Sequence, residues 1–149
     1  MFELELKNSD ELIIHDKDKN VAINVAESTI NADLRVGTIR GAGEFEIGEI
    51  SISAKPLAAG GIMYRVKVEG VKIGLVGNTA KVEDLDELGP IDILGTSNAK
   101  FVSVVEPKAV IPMGNMDFAE VKASVKNEKK LKIKNANSLP AVMEVWCLD

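Results

Sequence analysis

The residues able to do acid–base, nucleophilic or metal chemistry are few. The chain holds one His, His15, and one Cys, Cys147, which excludes a histidine-rich metal site and any internal disulfide framework. No Ser or Cys nucleophile accompanies His15 in a recognisable motif, so it reads as a surface histidine at a strand end. Cys147, beside Trp146, reads as a small residue on a strand. Glu44 and Glu46 flank Phe45, and a period of two puts both carboxylates on one face of a strand. There they would orient a ligand, bind a hard cation, or form a solvated face. Gly41-Ala42-Gly43 and Gly60-Gly61 have the residue types of a phosphate cradle, but neither leads into a helix N-terminus. Asp16 and Asp18, in a Lys-rich turn, read as ordinary hairpin polarity. Lys126, Lys129, Lys130, Lys132 and Lys134 form a basic stretch that suits a helix end and an edge strand, where Lys discourages aggregation.

The elements that must position these residues change character midway along the chain. Phe2 to Leu6, Leu12 to Ile14 and Val21 to Val25 alternate or run apolar between polar turns, which predicts an antiparallel meander with one buried face. Glu44 to Ile47, Ile50 to Ser53 and Ile62 to Val68 continue as strands, and Glu69-Gly70 turns the chain into Val71 to Val76. Beyond that point strands alternate with short helical patterns. Val82, Leu85 and Leu88 predict a helix stopped at Gly89-Pro90. Ile91 to Leu94 and Ala109 to Ile111 predict strands, with a short helix over Lys100 to Val105 between them. Phe118, Val121 and Val125 predict another amphipathic helix, and Leu131 with Ile133, then Val142 with Val145, two closing strands. The ordering suggests a sheet with helices on its outer face.

A length of 149 residues supports one domain, 1–149, with a sizeable core. With 18 Lys+Arg against 23 Asp+Glu, the net charge of −5 argues against nucleic acid or an anionic membrane as partner. The apolar runs are short and broken by charges, and the first ten residues lack a signal-peptide pattern, so a cytoplasmic location is expected.

Five segments, in order, resemble a known family. Ile39 to Ile47 resembles I-D-G-P-G-E-Y-E-I, and Gly70 to Asn78 resembles G-(V/I)-x-I-x-H-L-G-D. Ile91 to Leu94 matches D-V-D-(V/I)-L, Pro107 to Met113 matches P-K-x-V-I-P-M, and Lys130 to Lys134 with Leu139-Pro140 resembles a K-L-K-I tail. The pattern resembles the metallo-β-lactamase fold superfamily, in its short bacterial ascorbate-phosphate-lactonase-like branch. The resemblance implies an α+β, αββα-type architecture: a trimmed metallo-β-lactamase-like β-sandwich with helices on the outer face.

The family's chemistry does not come with the resemblance. Its first metal motif, H-x-H-x-D-H, would follow the stretch Ala32 to Val36, where Gly37-Thr38 instead runs directly into the Gly-x-Gly segment. The bridging Asp aligns with Asn78 and the last His with Gly114. A zinc hydrolase needs at least three anchoring ligands and an open position at which bound water reaches a pKa of about 7. The resemblance therefore implies a degenerate, metal-free member without a cofactor or catalytic residues. The vestigial pocket would be formed by Thr38, Asn78, Thr79, Thr96, Ser97, Asn98, Gly114 and Asn115, a small, polar, uncharged rim.

Such a protein would act through assembly, as a homo-oligomer or with a protein partner, or through binding a small neutral ligand. Two alternatives stand beside this pseudoenzyme reading. One is a metal-dependent hydrolase with a rearranged carboxylate site built from residues such as Glu44, Glu46 and Asp92. The other is a dedicated small-molecule-binding domain using the Asn, Thr and Ser loops.

Overall fold

The computed structural model describes residues 1–32 and 37–148. The predicted strand end at Asp33 to Val36 lies outside the described residues. The first sheet is an antiparallel meander: β1 (Phe2–Lys7), β2 (Glu11–Asp16), β3 (Lys19–Asn24), β4 (Thr29–Ala32) and β5 (Thr38–Arg40). Its other edge is closed by β13 (Lys130–Ile133), which pairs with β1.

The second sheet has eight strands. β6 (Gly43–Ile47), β7 (Ile50–Pro56), β8 (Ile62–Val68) and β9 (Val71–Val76) are antiparallel. From β9 the sheet continues in parallel through β10 (Ile93–Thr96), β11 (Ala109–Pro112), β14 (Glu144–Cys147) and the edge strand β12 (Ser124–Asn127).

The two sheets face each other, and period-two alternation sorts the side chains. Leu4, Leu12, Ile14 and Ile23 of the first sheet share one core with Ile52, Val66, Ile73 and Ile111 of the second. Residues next to these on the second sheet point the other way. Val76, Leu94, Val110 and Val145 join a second core with Leu85, Leu88, Phe101 and Val102. Parallel strands buried on both faces read as continuous apolar runs, as Ala109 to Ile111 does.

Helix is sparser than expected. The single α-helix among the described residues, α1 (Lys100–Val105), lies where the sequence predicts it. Val82–Leu88 is a 3₁₀ helix, opened by Lys81 N–H donating to Asp84 Oδ2 at 2.7 Å. Its apolar residues recur every third position, which is the 3₁₀ period rather than the 3.6 of an α-helix. The predicted helix through Phe118, Val121 and Val125 does not form. Phe118–Glu120 is a single 3₁₀ turn, and Val125 pairs in parallel with Val145 on the sheet edge. Tertiary pairing here overrides local periodicity. No helix among the described residues is long and apolar enough to cross a membrane.

Candidate functional site

Parallel strands β9, β10 and β11 end on the same side of the sandwich, and the loops leaving them meet three turns from the antiparallel strands. Together they enclose a cavity of about 750 Å³. The β1–β2 turn contributes Ser9 and Asp10, the β3–β4 turn Ser28, and the β7–β8 turn Gly60 and Gly61. The loops after β9, β10 and β11 supply Asn78, Thr79, Ser97, Gly114 and Asn115.

The β1–β2 turn is clamped from both sides. Gly114 N–H donates to the Ser9 carbonyl at 2.9 Å, and Val25 N–H donates to the Asp10 carbonyl at 2.9 Å. Asn8 and Ser9 both take left-handed backbone conformations, with φ of 53° and 60°, in the loop between Lys7 and Glu11. Two hydrogen bonds and a strained turn thus hold the Asp10 side chain at the cavity wall. A Cβ at Gly114 would lie 3.4 Å from Ser97 Cβ and 3.6 Å from Asp10 Oδ1. The carboxylate stands beside the position where the resemblance places the last His ligand. At Gly61, φ is +83° and a Cβ would come within 3.0 Å of Thr79 Oγ1, so glycine allows this turn to approach the loop after β9.

Of the rim predicted from the sequence, Asn78, Thr79, Ser97, Gly114 and Asn115 line this cavity. Thr38, Thr96 and Asn98 do not. Thr38 Oγ1 donates to Asn31 Oδ1 at 2.6 Å across the β4–β5 pair. Thr96 is buried, its Oγ1 accepting the Asn98 N–H at 3.1 Å, while Asn98 Oδ1 accepts the Lys100 N–H at 3.0 Å. These two residues shape the turn into α1 rather than the wall. The charged wall residue that sequence reasoning missed is Asp10. In Asn8-Ser9-Asp10 an Asp reads as turn polarity, and only the spatial meeting of two sheets gives it a different role.

The polar groups of the wall have not paired off. Among the described residues, Asp10, Asn78, Thr79, Ser97 and Asn115 make no side-chain hydrogen bond or ion pair. Small residues here have left an open, polar concavity rather than a closed, self-satisfied plug.

Zinc, which the fold implies, does not fit these groups. Among the described residues the wall offers one carboxylate, Asp10, with neutral amides and hydroxyls and no His or Cys, whereas Zn²⁺ requires three or four N, S or anionic O ligands. Among the described residues no three His, Cys, Asp or Glu side chains come together to hold a metal ion.

The rearranged carboxylate site is corrected by the topology. Glu44 lies on β6, and β7, β8 and β9 separate it from the strand that Asp92 precedes, about 19 Å at the usual strand spacing. Glu44 accepts from Ser53 Oγ at 2.9 Å. Asp92 accepts the Lys72 N–H at 2.9 Å and its Oδ1 lies 3.9 Å from Lys108 Nζ, bracing neighbouring strands. His15 lies between Glu5 and Asn20 on the first sheet, its Nε2 3.0 Å from Glu5 Oε2 and its Nδ1 2.5 Å from Asn20 Oδ1. Lys126 lies on β12 and Lys130 and Lys132 on β13, the edge strands of the two sheets.

Asp16 also departs from its expected role. It is only 2% exposed, with Oδ1 lacking a hydrogen-bond partner. Burial pushes its carboxyl up from the usual carboxylate range, and the neighbouring Glu69 carboxylate adds to the rise. Glu69 is held below its ordinary value, chiefly by the N-terminal ammonium 2.6 Å from its Oε1.

No protein-family profile matches the chain, and no curated protein matches it. A solved structure is similar over nearly the full length of both molecules. It is a Thermotoga maritima protein of the metallo-β-lactamase superfamily, described as a candidate Zn-dependent hydrolase. The TM-score is 0.71 at 14% identity, covering 99% of this chain and 100% of that one. Identity at that level speaks to architecture and leaves activity to the site. Two facing sheets, a parallel half buried on both sides and a polar cavity at its strand ends together give this chain the metallo-β-lactamase fold.

Proposed function

We propose that this chain is a metal-free, non-catalytic protein of the metallo-β-lactamase fold that binds a small polar molecule in the strand-end cavity. The supporting observation is the wall itself. A cavity of about 750 Å³ is surrounded by amides, hydroxyls and glycines with one carboxylate, and those groups leave their hydrogen-bonding capacity free among the described residues. Asp10 and Ser97 are half-buried and Asn78, Thr79 and Asn115 are exposed to the cavity, where a polar ligand would take the place of solvent on these groups. The five sequence segments support descent from the ascorbate-phosphate-lactonase-like branch, with loss of its ligands at Asn78 and Gly114. A cytoplasmic setting, with neither nucleic acid nor membrane as partner, belongs to the same proposal and rests on the acidic charge balance.

A ligand screen by thermal shift tests this reading. Any hit is expected to be lost or weakened at least about tenfold in Asn78→Ala and Asn115→Ala, the scale of a lost polar contact at a binding site. Hits that survive both substitutions would contradict it.

Assembly is a second reading, favoured by the outer face. A groove of about 650 Å³ beside α1 has an apolar floor including Val102, Pro107, Val121 and Met143 and a charged border with Lys100, Glu106, Glu120 and Lys122, and Val104 and Val142 are 46% and 81% exposed. Apolar surface of this kind commonly marks an interface. Sedimentation of a strict monomer at high concentration would remove this reading.

A further inference from the structure

We infer that the strand-end cavity selects a cationic polyol, a hydroxylated molecule carrying one protonated amine, with Asp10 as the group that receives the amine. The inference rests on the binding role proposed above and gives it a ligand class. It replaces the neutral ligand expected from an uncharged rim.

Three observations carry it. Among the described residues Asp10 is the only charged side chain on the wall, and no Lys, Arg or His lines the cavity. Among the described residues its carboxylate has no ion-pair or hydrogen-bond partner. The Ser9 and Asp10 carbonyls are occupied by the Gly114 and Val25 N–H groups, so the turn is anchored independently of its carboxylate. An anionic ligand would place like charges together without a balancing cation. A neutral ligand would satisfy the amides and hydroxyls and leave the carboxylate with solvent alone. An ammonium group gives Asp10 a charge-assisted bond, the stronger kind, while Asn78, Thr79, Ser97 and Asn115 supply both donors and acceptors for hydroxyl groups.

Glucamine, sorbitol and gluconate test this directly. They share a six-carbon polyol framework and present an ammonium, a hydroxyl or a carboxylate at the first carbon at neutral pH. Each is titrated into the full chain labelled with ¹⁵N, and binding is followed by amide shifts.

Glucamine is expected to bind about tenfold more tightly than sorbitol, with gluconate weakest. The shifts should fall at Asp10, Asn78, Thr79 and Asn115. In Asp10→Asn the affinity for glucamine should drop to that of sorbitol, while Asp10→Glu should retain a preference for the amine.

Equal affinity for glucamine and sorbitol at those residues would overturn the charge selection and leave the binding role standing. So would displacement of glucamine by calcium, since a hard cation would then be the species Asp10 takes. Binding of none of the three, or shifts confined to other surfaces, would overturn the inference. If the wider ligand screen also gave no hit sensitive to Asn78 and Asn115, the binding role would fall with it.

Discussion

Strand β2 places a carboxylate at each end, Asp10 just before it and Asp16 as its last residue, about 20 Å apart at the rise of an extended chain. At the Asp16 end, tight turns close the sandwich and acids meet acids. Asp16 lies beside Glu69, Glu69 meets the N-terminal ammonium, and Lys17 Nζ lies 2.6 Å from Glu49 Oε2. At the Asp10 end, loops from two sheets stand apart around a cavity, and the carboxylate faces it without a partner among the described residues. The same residue type is structural where the fold closes and available where it stays open. Type and local spacing do not distinguish the two; topology does.

The comparison can be broken from either end. The largest effect is expected at Gly61, whose φ of +83° and close approach to Thr79 a side chain would oppose. Gly61→Ala should destabilise the protein by about 1–3 kcal/mol in urea unfolding, and it should weaken binding at the cavity. An unchanged midpoint would mean that the turn moves freely and the wall is not preorganised.

A smaller effect of opposite sign is expected at Asp16. Its native pKa is raised above 3.8, so the native state holds this proton more tightly than the unfolded chain. That contribution to stability is fully present below 3.8 and is lost as pH rises through the native value. Glu69, held below 4.5, works the other way: its contribution is present above 4.5 and is lost as pH falls through its native value. Asp16→Asn removes the first dependence. It should stabilise the protein by about 1 kcal/mol at neutral pH, with the gain shrinking as pH falls toward 3.8. A loss of stability at neutral pH would show that the ionised carboxylate is needed there.

The smallest effect is expected at Asp10. With its carboxylate unpaired, Asp10→Asn should change unfolding free energy by no more than about 0.5 kcal/mol. A large loss would make Asp10 a structural brace, like Asp92, and erase the contrast between the two ends.

Much of the fold was legible because burial writes itself as period. The meander shows in Phe2 to Leu6 and Val21 to Val25, and the doubly buried parallel strands in Ile93-Leu94 and Ala109 to Ile111. Where the reading failed, long-range pairing decided. Val125 follows Phe118 and Val121 at helical spacing, yet it pairs with Val145, a contact that the long intervening chain conceals. The repeat at Val82, Leu85 and Leu88 marks a helix in the sequence, and its spacing of three is the 3₁₀ period that the structure shows. For the site, Asn78, Thr79, Ser97, Gly114 and Asn115 were legible through the order of the strand ends. Asp10 was not, because its turn comes from the opposite sheet. Thr96 and Asn98 look like rim residues in sequence, but their side chains are occupied by backbone groups at the start of α1.

The account depends most on the cavity working without a transition metal, because its wall lacks the donors to hold one. Metal content of protein purified without chelator tests this directly. The expected result is well below one Zn, Mn or Fe per chain, with no thermal shift when these ions are added. Stoichiometric metal that is lost together with ligand binding on chelation would contradict the account.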